Sequence, residues 1–364
     1  MKSYIPQDLL LINLNHQRII KEVGEANAHL SRFDGLLQAM VNPEILLSPL
    51  ITREAVLSSK IEGTQATLDE VLTYDAGITF SNEQKEKDIQ EIVNYRSALI
   101  QAEKILLKRP LDLFLVRQIH QTLIKSVRGE NKRPGEFRKI QNWIGTPGQP
   151  IEKARFIPPE PQLIPEFMEK LEKFLQRNDL EILIQTALLH AQFEIIHPFL
   201  DGNGRVGRLL IPLFLFYKKH LIRPMFYLSE YFEKNREFYY QKLSAISKEN
   251  DWTGWVEFFL SAVKYQAEAN SRKLNKILQL YNLLKERIVA ITHSQYSILI
   301  LDAIFKMPIF TSSEIIKRTQ IPKQTLLPQL KKLQQAKILQ VLRPASGRQP
   351  AVLVFKELLD ISQR

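Results

Sequence analysis

His197-Pro-Phe-Leu-Asp-Gly-Asn-Gly-Arg-Val-Gly-Arg208 is the densest run of chemistry in this 364-residue chain. Pro198 disfavours helical geometry at His197, so a preceding helix should end there. Gly202 and Gly204 admit backbone angles closed to other residues and let a ligand approach the main chain. A glycine-rich loop opening a helix points N–H groups outward at the positive end of the helix dipole, an anion nest. Arg205 and Arg208 are three residues apart and share a helix face, two guanidinium forks suited to a chain of phosphates. Asp201 at the mouth is a candidate Mg2+ ligand, and His197 a candidate general base beside a nucleoside triphosphate. The competing reading is a solvated Asp-Gly/Asn-Gly turn that caps a helix.

Working outward, Leu209–Tyr217 reads as a buried helix after the loop, and the nearly apolar Asp179–Ile195 as the central buried helix before it. His190 on that helix reads as a satisfied core histidine. Pro165–Gln176 is an amphipathic helix and Leu113–Ile124 another; His120 on the latter reads as packed or at the surface. Between them, residues 126–160 hold the chain's densest turn content. Two β-prone runs there, from Gln141 and from Lys153, predict a hairpin over about 141–157, either a lid or an edge for an extended peptide.

Upstream, two short amphipathic patterns occupy Leu10–Val23 and Ala26–Met40. A helix from Ile51 to Glu62 stops at Gly63, with Ser58 and Glu62 on one face. A glutamate at a helix C-terminus is badly placed for the dipole unless a cation meets it. Thr67-Leu-Asp-Glu70 has the form of a capping box. After the loop, Asp251 opens a long helix to about Arg287.

Length argues for two or three domains. The absence of cysteine excludes disulfides, thiolate metal sites and a cysteine nucleophile. No signal-peptide core and no membrane-length apolar run is present, so a cytoplasmic protein is expected. The net charge of +11 points to an anionic ligand or partner. Residues 290–364 hold eleven Lys/Arg against four Asp/Glu. Their pattern of three helices and a hairpin, with Arg343–Arg348 joining the last two strands, describes a winged helix-turn-helix. It would touch DNA or mediate protein contacts.

His197–Arg208 resembles the Fic family signature, HxFx[D/E]GNGRxxR, at every defined position. Ser58-Ser-Lys-Ile-Glu-Gly63 is similar to that family's inhibitory motif, [S/T]xxxE[G/N]. The resemblance covers roughly residues 1–290. Pro134-Gly-Glu-Phe-Arg138 and Phe156–Pro159 also resemble the segments flanking the family's flap hairpin, and 290–364 resembles winged-helix modules appended to some members. The resemblance implies a mainly α fold: an N-terminal helical region (1–110) carrying an inhibitory helix (about 51–63), a Fic core (111–289) with its flap, and the winged module (290–364).

It also implies AMP transfer from ATP to a Ser, Thr or Tyr hydroxyl of a target protein, or of the chain itself, with Mg2+. His197 would be the base and Asp201 the Mg2+ ligand. Gly202, Asn203 and Gly204 would hold phosphates, Arg205 the β-phosphate and Arg208 the γ-phosphate, with Val206 and Gly207 in the same ATP-binding turn. Phe199 would anchor the loop from below. Lys153, Ala154, Arg155 and Phe156 would border the nucleotide, with Tyr239 and Tyr240 as aromatic contacts. Glu62 would bridge Arg208 and inhibit. Apolar surface on the N-terminal helices suggests a homodimer. Other members of the superfamily transfer phosphate or another nucleotide, or remove AMP. A DNA-binding regulator using the core as a ligand sensor is the alternative of another class.

Overall fold

A computed structural model describes residues 3–40, 42–125, 132–145, 148–347 and 349–363. Part of the turn-rich stretch (126–131), the tip of the expected flap (146–147), Arg348 of the wing stretch and residues 1, 2, 41 and 364 lie outside the described residues.

The helices are α1 (His16–Gln38), α2 (Pro43–Leu46), α3 (Ser48–Ile61), α4 (Leu68–Asp75), α5 (Glu83–Leu106), α6 (Leu113–Ile124), α7 (Ile164–Leu175), α8 (Ile182–Ile196), α9 (Asn203–Tyr217), α10 (Ser229–Lys234), α11 (Arg236–Glu249), α12 (Trp252–Thr292) and α13 (Ser297–Lys306). Strand β1 (Ile309–Thr311), α14 (Ser312–Thr319), α15 (Lys323–Gln335), β2 (Gln340–Arg343), β3 (Val352–Val354) and α16 (Lys356–Gln363) complete the chain. The fold is mainly α, with one small antiparallel sheet. The two patterns expected before residue 40 are one helix, α1, continuous through Gly24 and Gly35. Burial of Ile19, Ala26, Leu30 and Phe33 outweighs the roughly 1 kcal/mol that each helical glycine costs.

The chain forms two compact units. The first comprises Met1–Asp34, Leu57–Gly63 and Asn94–Glu268. Its centre is α8, buried on every side from Leu183 to Phe193, packed against α9. The amphipathic α7 lays Phe167, Met168, Leu171, Phe174 and Leu175 inward, while Lys170 and Lys173 pair with Glu166 and Glu169 at the surface. Phe193, Phe199 and Phe214 are fully buried, each stabilising the core by about 1.5–3 kcal/mol.

The second unit comprises Gly35–Val56, Thr64–Val93 and Ala269–Arg364. Its sheet has the order β1-β3-β2, with Ile309 opposite Val354 and Val341 opposite Leu353. Leu68, Leu72 and Ala76 of α4 pack against Ile309, Val352, Val354 and Leu359. Thr67 and Glu70 form the full capping box that starts α4. Strand β1 and helix α16 are too short to declare themselves by periodicity. Among the described residues, no helix is long and apolar enough to cross a membrane.

Candidate active site

Helix α8 ends at His197, whose backbone turns left-handed (φ 49°, ψ 60°) as its N–H bonds the Phe193 carbonyl. That conformation is uncommon for a residue with a side chain and is held here by its surroundings. Arg138, 2% exposed, donates from Nε to the His197 carbonyl at 2.9 Å and from Nη2 to the Pro159 carbonyl at 2.6 Å; its own N–H bonds the Pro198 carbonyl. Burial pulls this guanidinium down to about 10, where it still carries its charge. His120 Nδ1 accepts the Gly135 N–H at 2.8 Å, so Nε2 carries the proton and donates to the Asp201 carbonyl at 3.0 Å. The His120 ring stacks on Phe199 at 3.7 Å between centroids, and burial lowers it to about 4, keeping it neutral. His120, Arg138 and Phe199 thus clamp the loop from below.

Asn203 closes the loop on itself. Its Oδ1 accepts the Phe199 N–H and its Nδ2 donates to the Phe199 carbonyl, both at 2.8 Å. The Asn203 side chain therefore shapes the loop. Gly202, at φ 77°, is the N-cap of α9, and a Cβ there would press on Leu123 and Ile124 at 3.1–3.2 Å. The first N–H groups of α9, from Asn203 to Arg205, have no acceptor within the helix and make its anion-attracting end.

At the mouth stands Asp201, its carboxylate accepting the Gly202 N–H at 2.6 Å and lying 3.7 Å from Arg205. Arg205 is 5% exposed. His197 Nδ1–H donates to the Glu194 carbonyl at 3.3 Å, which leaves Nε2 as the basic nitrogen. Burial lowers this imidazole to about 4, so it is neutral at pH 7 with Nε2 unprotonated.

Arg208 is gripped by the end of α3. Its Nε donates to Ser58 Oγ at 2.8 Å, and its Nη2 to the Ser58 carbonyl at 2.9 Å and to Glu62 Oε1 at 2.6 Å. The Arg208 side chain is 2% exposed and that of Glu62 35%. Burial would raise the Glu62 carboxyl, but Arg208 outweighs it, helped by Arg205 and His197, and holds the group below its ordinary value. Burial likewise opposes the Arg208 charge, and Glu62 more than restores it. The Glu62 carboxylate lies over Gly204, where a Cβ would overlap Oε1 and come within 2.9 Å of Arg208 Nη1. Gly63, at φ 99°, turns the chain away behind it. A carboxylate therefore occupies the place at the start of α9 where an anionic ligand would reach Arg208.

In the flap, a bridge joins Ile144 to Phe156 among the described residues, with the Ile144 N–H donating to the Phe156 carbonyl at 2.9 Å and the Arg155 N–H to the Ile144 carbonyl at 2.8 Å. Lys153 sits in a short 3-10 turn (Ile151–Lys153) instead of a strand. Lys153 and Arg155 are exposed, Ala154 is buried, and the Phe156 ring lies 5.8 Å from Tyr4.

Tyr239 is 1% exposed, its hydroxyl donates to His190 Nε2 at 2.9 Å, and its ring stacks on Phe232 inside the core. His190 in turn donates from Nδ1 to the Gly207 carbonyl at 3.1 Å, a satisfied core histidine as expected. Tyr240 is 36% exposed, within 6.0 Å of the Arg236 guanidinium. Val206 is fully buried.

Residues 20–104 match the Fic/DOC family N-terminal model and residues 110–215 the Fic/DOC family model. The chain belongs to the Fic family. It is similar to a protein adenylyltransferase Fic of Drosophila grimshawi, 28% identical over 55% of this chain and 38% of that protein. A probable protein adenylyltransferase of Aquifex aeolicus is 39% identical over 59 residues, 16% of this chain and 18% of that one. The chain thus spans well under half the length of these curated relatives. The crystal structure of a Fic family protein from Desulfovibrio desulfuricans superposes with a TM-score of 0.59, at 21% identity, over 98% of each chain. That likeness concerns the fold.

Proposed function

We propose that this chain transfers AMP from ATP to a hydroxyl side chain of a target protein or of itself, and that Glu62 holds it inactive. The observation that carries the reading is the Glu62 carboxylate seated on Arg208 and over Gly204, at the end of a loop whose other groups suit a triphosphate. The relatives named as adenylyltransferases support the same chemistry.

The residues act by positioning and charge stabilisation. His197 Nε2 takes the proton of the target hydroxyl. The freed oxygen bonds to the α-phosphorus, the bond from that phosphorus to the bridging oxygen breaks, and pyrophosphate leaves. The N-terminal amides of α9, with Arg205 and Arg208, bind the β- and γ-phosphates. The exposed carboxylate of Asp201 fits Mg2+, which favours one or two carboxylates plus phosphate oxygens; bound there, the ion neutralises phosphate charge. The 141–157 flap holds the target segment extended, and Lys153–Phe156 and Tyr240 border the nucleotide. With Glu62 on Arg208, the γ-phosphate loses its fork, so basal activity follows the fraction of molecules with Glu62 withdrawn.

ATP labelled at the α-phosphate tests this in a cell lysate supplied with Glu62→Gly protein. Label should enter protein bands from α-labelled and not from γ-labelled ATP; the reverse would assign phosphate transfer.

The order helix, strand, two helices and two strands in 297–354 supports a winged helix, and exposed Lys323, Lys331 and Lys337 support DNA contact through it. Binding of duplex DNA across a salt series tests this: affinity that falls with salt supports it, and no binding rejects it. A homodimer through exposed apolar side chains such as Ile20 is part of the same proposal, checked by light scattering.

A further inference from the structure

Glu194 lies on α8 one turn before His197 and has no part in the transfer steps above. Its Oε1 is buried without a hydrogen-bond partner among the described residues. An orphaned buried polar atom of this kind calls for an explanation. The carboxyl rests against the Cα of Gly207: any side chain there would overlap Oε1 and come within 3.2 Å of Cδ. Gly207 immediately precedes Arg208, so the acid is packed onto the turn that carries the inhibited guanidinium. The charged and titratable groups facing it are Arg208 on α9, Glu62 at the end of α3 and Tyr239 on α11, while the His197 imidazole bonds only the Glu194 backbone carbonyl. Burial pushes Glu194 up to about 8, Arg208 opposes this and Glu62 adds to it. Two acids therefore share one buried cation, and only Glu62 is bonded to it.

We propose that Glu194 is a positioning residue that takes over as counter-ion of Arg208 when Glu62 withdraws, releasing its own proton as it does so. The inference rests on the reading that Glu62 must leave before ATP binds. In the closed form one carboxylate neutralises Arg208, and a second charge beside it is disfavoured, so Glu194 keeps its proton. Once Glu62 leaves, the fork would be an unpaired buried cation, a strongly unfavourable state. Ionisation of Glu194 removes that penalty and keeps the guanidinium aimed at the place the γ-phosphate will take. The closed form binds one more proton than the open form, so opening is favoured as pH rises towards about 8 and levels off above it.

Difference infrared spectra provide the test. Wild type minus Glu194→Gln at pH 7 should show the carbonyl stretch of a protonated carboxylic acid. The same subtraction in a Glu62→Gln background should show a carboxylate in its place. A protonated band in both backgrounds would overturn the proposal. Should the Glu194→Gln protein not fold, the affinity of the wild type and of Glu62→Gln for a non-hydrolysable ATP analogue is measured from pH 6.5 to 9. The wild type should tighten by up to about tenfold per pH unit below its plateau while Glu62→Gln stays flat; parallel profiles would refute it. Neither readout requires group transfer, so a failure of the AMP-transfer reading is distinguishable from a failure of this one.

Discussion

Replacing Glu62 by glycine removes the carboxylate that holds Arg208 and leaves the rest of the loop in place. The size of the effect follows from the contact. A hydrogen bond to a charged group contributes about 1.5–3 kcal/mol. The Glu62 side chain is 35% exposed, so water screens part of that, and about 2 kcal/mol is the fitting figure. This corresponds to a factor of roughly 30 between closed and open forms. Apparent affinity for ATP and the rate of self-modification should each rise by up to that factor, because ATP engages only the open fraction. Calorimetric titration with a non-hydrolysable ATP analogue reads the first, and incorporation of label from α-labelled ATP the second. Ser58→Ala, which removes only the Oγ acceptor of Arg208 Nε, should give a smaller rise, about fivefold for about 1 kcal/mol. Unchanged nucleotide affinity in Glu62→Gly would mean that the Glu62–Arg208 contact does not compete with ATP.

His197→Ala in the Glu62→Gly background should abolish transfer while leaving nucleotide affinity within about twofold, as a base acts on the proton and not on the phosphates; titration and label incorporation on the same preparation check both. Arg138→Ala should destabilise the protein by about 3 kcal/mol or more, because the carbonyls of His197 and Pro159 lose a charged donor; chemical denaturation measures it. Gly207→Ala should cost about 1–3 kcal/mol by overlap with Glu194, read in the same way. Acid should destabilise the fold early. His120, His190 and His197 are lowered by burial to about 4, 3 and 4, so below about 6.5 the unfolded chain binds protons that the folded one refuses, and stability falls as pH drops from 6.5 towards 4. A melting temperature constant between pH 6.5 and 4.5 would contradict this.

The parts legible in the sequence were those with local grammar. Pro198 and the glycines mark where α8 stops and α9 starts, because their backbone preferences act within a residue or two. The capping box at Thr67 and the amphipathic period of α7 are local in the same way. The Glu62–Arg208 contact spans 146 positions and was anticipated through the Ser58–Gly63 motif, not through periodicity. Contacts without such a motif were not legible. His120 reaches Asp201 across 81 positions as a single polar residue on an amphipathic helix, and Arg138 reaches His197 across 59, a contact that the Pro134–Arg138 resemblance did not specify. Glu194 reads as one charge on an apolar helix until Gly207 is seen against it. Tyr239 and Tyr240 are adjacent in sequence, yet helical geometry sends one into the core and leaves the other at the surface. The hairpin was legible from its two β-prone runs, which meet at the Ile144–Phe156 bridge among the described residues.

The most direct measurement of the central claim is mass spectrometry of the Glu62→Gly protein after incubation with ATP and Mg2+, beside the same protein carrying His197→Ala. A mass increase of one AMP on a Ser, Thr or Tyr side chain is expected in the first and none in the second. A phosphate adduct, or an AMP adduct that persists without His197, would contradict it.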